Sequence, residues 1–139
     1  MSEVAMVVGG GRIGTALARQ LLATGHEVVV VERSGAQASR LRTLLPSLSV
    51  VHADGVDPAA LEAAGVRRAD VVAAVSGDDA TNLVIAALAR LEFGAPRTIA
   101  RIVDPAHAWL FQPAIGVDVA IDQAELLTRA IVDRADMEG

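Results

Sequence analysis

The apolar run Val4–Val8 passes directly into Gly9-Gly10-Gly11-Arg12-Ile13-Gly14, which opens the helix-period segment Ile13–Ala23. Glycines at the first, third and sixth places of that loop restrict what the chain can become, because each has a separate physical duty. Gly9 permits a tight turn out of the strand. Gly11 lets backbone N–H groups approach a pyrophosphate, with Arg12 and Ile13 beside it. Gly14 lets helix and strand pack closely, and the helix N-terminus supplies a field that favours negative charge. Roughly twenty residues further on, an acid, Glu32, closes a second apolar run, Val28–Val31. Strand, loop, helix and distant acid together form a dinucleotide-binding fingerprint. A glycine loop that only reverses the chain is the plainer alternative.

Apolar strand runs alternate with helix-period segments from end to end. Gly25-His26 marks the return to Val28–Val31, apolar throughout like a strand buried on both faces of a parallel sheet. A short helix is predicted over Ala36–Leu45, ended with help from Pro46, and a third strand over Leu48–Val51. Asp57-Pro58 is a helix start, Asp as N-cap and Pro at the first helical position, leading into Ala59–Ala64. Val71–Val75 is the fourth strand, and the longest helix is predicted over Ala80–Phe93, capped by Asp78 or Asp79 and stopped by Gly94. Thr98–Ile102 is the fifth strand, Asp104-Pro105 repeats the helix start, and Val117–Ile121 precedes a final helix over Ala124–Ala135. This alternation calls for an α/β fold, a Rossmann-like doubly wound parallel sheet of six strands in the order 3-2-1-4-5-6. Residues 1–139 read as a single domain, with a ligand crevice between strands one and four, where the order reverses.

Composition excludes several chemistries. All twelve basic residues are Arg, and Tyr and Cys are absent. A Tyr/Lys proton relay, a Lys nucleophile, a Walker-type phosphate lysine, disulfides and thiolate metal sites are therefore ruled out. A net charge of −5 and few aromatics argue against a nucleic-acid surface. The longest apolar run, Leu83–Ala89, is far short of the roughly twenty residues of a membrane helix. Met1-Ser2-Glu3-Val4 carries no signal-like pattern, so a cytoplasmic protein without membrane insertion is expected. His26, His52 and His107 share no ligand spacing, and no metal site is expected.

The candidate site residues cluster at predicted strand ends. A carboxylate at Glu32 accepts hydrogen bonds from both ribose hydroxyls of an adenosine and repels a 2′-phosphate; otherwise it is a solvated strand-end charge. Arg33 is placed to stack on adenine or touch a phosphate. Asp54-Gly55 closes the third strand, and Asp54 either reads the adenine amino group or forms a turn with Gly55. Ser76 and Gly77 follow the fourth strand and can line ribose and pyrophosphate, whereas Asp78 reads first as an N-cap. Asn82 faces the crevice or solvates the first turn. Arg12 reaches phosphate oxygens or remains a solvated loop charge. Arg101 lies inside a predicted buried strand, where an unpaired guanidinium is very costly, so it is expected to meet a carboxylate, a phosphate or a partner subunit. His107 with Asp104 reads as surface, and Trp109 and Phe111 as packing or a subunit contact.

Taken in order, these runs resemble the regulator-of-potassium-conductance N-terminal domain, also called the TrkA N-terminal or KTN domain. The segments that carry the resemblance are Gly9–Gly14, Gly25–Glu32, Asp54–Pro58, Ala69–Ala74, Ser76–Asp79 with Asn82, and Ile99–Ile102 with Asp104-Pro105. The resemblance implies a cytosolic nucleotide sensor at the inner face of a membrane potassium channel or transporter. It implies a homodimer, often assembled further into a ring, whose conformation responds to NAD(H), or in some members to ATP, ADP or AMP. It also places Arg12 near a subunit interface. Two departures stand out. The family usually has Gly-Asp-Ala-Thr where this chain has Ala53-Asp54-Gly55-Val56, which removes a hydroxyl on the adenosine side. The second, smaller regulatory domain that commonly follows is not within these residues.

Two function classes compete. One is a non-catalytic, nucleotide-binding regulator of potassium transport. The other is an NAD-dependent oxidoreductase or its cofactor-binding half, which needs a substrate segment and a proton donor near the nicotinamide. Only one helix follows the sixth strand, Tyr, Lys and Cys are missing, and no His falls at the end of the fourth or fifth strand. The regulator is the favoured reading.

Overall fold

A strand made of Val28–Val31 has no polar face to turn to water, so it must be covered on both sides. In the computed structural model, which describes residues 3–138, it lies second from the edge of a six-stranded sheet ordered β3-β2-β1-β4-β5-β6. The strands are β1 (Val4–Val8), β2 (Glu27–Glu32), β3 (Ser49–His52), β4 (Val71–Ala74), β5 (Arg97–Ile102) and β6 (Val119–Asp122). Every pairing is parallel. Helices α1 (Arg12–Ala23) and α2 (Gly35–Leu44) cover one face. There Ala18 and Leu41 pack with Val7, Val28 and Val30. Helices α3 (Pro58–Ala63) and α4 (Asp79–Ala87) cover the other, where Leu61 and Ile85 meet Met6, Val8, Val31 and Val72. No helix among the described residues is long and apolar enough to cross a membrane.

Three elements differ from the sequence-based expectation. The helix predicted over Ala80–Phe93 is α4 followed by a wider π-helical turn, Leu88–Glu92, in which Phe93 N–H reaches back to the Leu88 carbonyl (3.0 Å). That extra width brings both Ala89 and Phe93 into the core before Gly94 ends the element. After Asp104-Pro105 only short 3-10 turns form, Pro105–Leu110 and Pro113–Ile115. Pro113 has no N–H to continue a helix and holds Gln112 extended (φ −125°, ψ 153°). The sixth strand starts at Val119 rather than Val117. Val117 is a buried plug instead, and the Asp118 carboxylate takes the Thr98 N–H (2.8 Å) that a strand carbonyl would otherwise accept.

The last helix, α5 (Gln123–Glu138), does not fold back on the sheet. All of its side chains whose burial is described are exposed, including Leu126, Leu127, Ile131 and Val132.

Candidate functional site

Parallel register brings the carboxyl ends of β1, β2 and β4 together, with Val8 opposite Val31 on one side and Ala74 on the other. α1 and α4 leave from there toward opposite faces, and a cleft of about 810 Å³ opens between them. Small-molecule sites commonly fall at about 300–1,000 Å³ and at such switch points. Every sequence-expected site residue except Gly14 lines this cleft: Gly9, Gly11, Arg12, Ile13, Glu32, Arg33, Asp54, Gly55, Ser76, Gly77 and Arg101. No histidine lines it.

Gly9 has φ +116°, where side chains other than glycine are strained, and its N–H donates to the Val31 carbonyl (2.9 Å). Gly14 lies behind the loop, where an added Cβ would overlap the Gly9 carbonyl oxygen. Gly11 faces open space and is the N-cap of α1. It supplies no capping side chain, and no acid lies in the first turn. The other helices are closed by their own side chains. Ser34 accepts from Gln37 N–H (3.3 Å), Asp57 from Ala59 N–H (3.0 Å), Asp78 from Thr81 N–H (2.9 Å) and Asp122 from Glu125 N–H (3.2 Å). Among the described residues, α1 alone of the α-helices points bare amides outward, and it points them into the cleft.

Glu32 is buried at the end of β2. Its Oε1 accepts the Gly10 N–H (2.7 Å) and its Oε2 the Ser34 N–H (2.6 Å), so the carboxylate is fixed in place while each oxygen can still accept a second hydrogen bond. Gly10 is thus a site residue that the fingerprint reading passed over. A Cβ there would meet Leu41 Cδ1 at 2.5 Å and Glu32 Oε1 at 3.2 Å. Ser34 was legible as well, since Ser34-Gly35-Ala36-Gln37 has the spacing of a capping box.

Asp54 makes a turn, its Oδ1 accepting the Val56 N–H (3.1 Å), and it lines the cleft at the same time. Asp78 caps α4 and also lines the cleft. Hydrogen bonds from the Thr81 hydroxyl and backbone hold its carboxyl below the ordinary range, with a smaller contribution from the Arg33 charge. Asn82 neither faces the crevice nor solvates a turn. It is fully buried, accepting from Ser76 N–H (2.9 Å) and donating to the carbonyls of Ser76 (3.1 Å) and Arg101 (3.0 Å). Arg101 pairs with no carboxylate among the described residues. It is half-buried where β5 reaches the cleft, its Nη1 donates to the Ser76 carbonyl (3.3 Å), and its buried Nε has no partner. Position at the cleft wall, rather than inside the core, is what makes the guanidinium tolerable there. Trp109 is exposed and Phe111 is buried.

The sheet order and the glycine loop at its switch point define a Rossmann-type α/β domain. Residues 5–123 match the model of the TrkA-N domain, and the chain belongs to that family. It is 35% identical over 125 residues to the Trk system potassium uptake protein TrkA of Mycobacterium tuberculosis, an overlap of 90% of this chain and 56% of that protein. A TrkA homolog of Methanothermobacter thermautotrophicus is 35% identical over 116 residues, 84% of this chain and 52% of that protein. The chain thus spans about half the length of the curated relatives it matches. Among solved structures, the TrkA-N domain of the inner membrane protein ybaL from Escherichia coli superposes with a TM-score of 0.82 at 22% identity, over 96% of each chain. The GsuK channel bound to NAD superposes with a TM-score of 0.79 at 23% identity, over 94% of this chain and 23% of that one. The Kef C-terminal domain of Shewanella denitrificans in its AMP-bound form gives 0.78 at 21% identity, over 99% and 82%. At these identities the likeness is one of fold.

Proposed function

We propose that this chain is a nucleotide-sensing regulatory domain of a potassium transport system, binding NAD(H) or an adenine nucleotide in the β1/β4 cleft without turnover. The observation that carries the reading is the bare N-terminus of α1, opening into a cleft whose other walls hold Glu32 and the unpartnered Nε of Arg101. Glu32 receives the adenosine ribose hydroxyls. The amides around Gly9, Gly11 and Ile13, with Ser76 and Gly77, hold the pyrophosphate. Arg12 and Arg101 reach phosphate oxygens, Asp54 and Gly55 border the adenine, and Arg33 stacks on it or meets a phosphate. The relatives named as Trk system potassium uptake proteins, and the solved neighbours carrying NAD and AMP, support this assignment.

The partner in this reading is a membrane potassium transporter or channel subunit, met at the inner face of the membrane by a cytoplasmic homo-oligomer. An apolar stripe on α5 supports a second copy as part of that assembly. Leu127, Ala130, Ile131, Arg134 and Ala135 recur at i, i+3, i+4, i+7 and i+8 along one exposed face of the helix, which no other described element covers. Binding changes inter-subunit contacts and so gates ion flow.

Calorimetry against NAD, NADH, NADP, ATP, ADP and AMP tests the proposal, with NADH absorbance followed in parallel for turnover. Binding of NAD(H) or an adenine nucleotide with no absorbance change is expected. Tightest binding of NADP would reject the role of Glu32, and no binding to any of the six would reject the sensor.

A further inference from the structure

Asp79 follows the capping Asp78 at the start of α4, and its carboxylate is buried with no Arg beside it. Instead it fastens the chain that leaves β5. Oδ1 accepts the Val103 N–H (2.6 Å), and Oδ2 accepts the Asp104 N–H (2.9 Å) and faces Nδ1 of His107 (2.7 Å). The other ring nitrogen of His107 lies 4.0 Å from Asp104 Oδ2. His107 is half-exposed, so protons reach it freely. We propose that His107, set between the carboxylates of Asp79 and Asp104, is a proton-operated latch that fastens the Val103–Leu110 turn to the start of α4.

A buried carboxylate is costly unless paired, and two backbone N–H groups are a weaker match for it than two N–H groups and a cation. Protonated His107 supplies that cation; neutral His107 leaves a plain hydrogen bond. Every charge that bears on the ring is acidic: Asp79 and Asp78 from α4, and Asp104 from its own turn. The hydrogen bond to Asp79, then these charges, raise the His107 proton affinity above that of a free imidazole, against the opposing effect of partial burial. On Asp79, burial pushes the carboxyl up, but the hydrogen bonds from Val103, His107 and Asp104 prevail and hold it low.

The sign follows from His107. With its folded value raised, the latch is fully closed below the ordinary imidazole value of about 6.5 and loosens as pH rises through the higher folded value. A second stitch beside it does not titrate, namely the Asn82 amide on the Arg101 carbonyl. Loosening therefore frees the turn beyond Val103 while the end of β5 stays attached. That turn carries Trp109, the single tryptophan of the chain and strongly exposed, at 69%.

The latch does not depend on nucleotide binding, and it is tested on the full chain without ligand. Histidine resonances and Trp109 fluorescence are followed from pH 5.5 to 9, with exchange of the Val103 and Asp104 amides corrected for intrinsic rates. His107 is expected to titrate above 6.5, with a fluorescence change at the same midpoint. Protection of the two amides should fall above it, by about tenfold for each pH unit by which the midpoint is raised. His107→Gln should abolish the fluorescence transition, and Asp79→Asn should lower the His107 midpoint. Should Asp79→Asn fail to fold, Asp104→Asn is expected to give a smaller shift of the same sign. A transition that survives His107→Gln, a His107 midpoint at or below 6.5, or a His107 titration with flat fluorescence and unchanged amide protection would each overturn the latch.

Discussion

Two helices start on opposite sides of the cleft and treat their free N–H groups in opposite ways. α4 is closed by its own N-cap, with Asp78 taking the Thr81 N–H, and the adjacent Asp79 carboxylate accepts the Val103 and Asp104 amides beyond β5. α1 is closed by nothing, because its N-cap is Gly11 and its first turn carries no acid. A helix N-terminus carries roughly half a positive charge, so a bare one attracts an anion and one already holding carboxylates repels it. In the proposed reading the phosphates therefore lie nearest the α1 amides and Arg12, whereas the α4 side sets the Asp78 carboxylate beside Ser76 and Gly77.

That asymmetry can be broken or sharpened by substitution. Gly14→Ala should have the largest effect, since its methyl group cannot coexist with the Gly9 carbonyl and must push α1 off the loop. Overpacking of this kind costs up to about 3 kcal/mol, which as lost affinity is roughly a hundredfold, with a lower Tm. Calorimetry with NAD and thermal unfolding read both. Glu32→Gln comes next. It removes the anion that Gly10 and Ser34 hold in place, and about 1–3 kcal/mol of binding should go with it, together with discrimination against NADP. Parallel titrations with NAD and NADP measure this.

Arg12→Ala should weaken ATP by about tenfold while leaving adenosine nearly unchanged, and the difference should shrink as salt is raised. Equal loss for both ligands would remove Arg12 from the phosphate side. Asp78→Ala is the sharpest probe and has the smallest effect. Loss of the cap should cost about 1 kcal/mol in urea unfolding, yet ATP should bind no worse, because a negative charge has left the cleft. Weaker ATP binding in that variant would mean that the two helix starts are not opposites.

Much of this was legible in sequence because it is local. The glycine spacing, the valine run ending at Glu32, and the Asp and Asp-Pro caps are decided within a few residues, and they pointed to the strand order and to about half of the residues that line the cleft. The parts that escaped depend on distant partners. Asn82 reads as a first-turn polar residue until Arg101, nineteen positions away, supplies its acceptor. His107 reads as surface until Asp79, twenty-eight positions back, is found beneath it. Arg101 reads as a buried-strand charge in need of a carboxylate, a phosphate or a partner subunit, because strand periodicity does not reveal that its end of β5 opens onto a cleft. The late start of β6 likewise follows from Asp118 taking Thr98 N–H, a side-chain substitution for a ladder bond that no hydrophobic pattern encodes.

One consequence of the projecting α5 concerns cleavage. A sixteen-residue helix without a neighbour is marginal in water, and proteases act on segments that open locally. Arg129 and Arg134 lie on it, both exposed, so a brief trypsin digest should trim the chain there and spare the sheet. Any surface that comes to cover Leu127 and Ile131 will protect those two bonds, which makes the rate of trimming a direct gauge of whether the helix has found its cover.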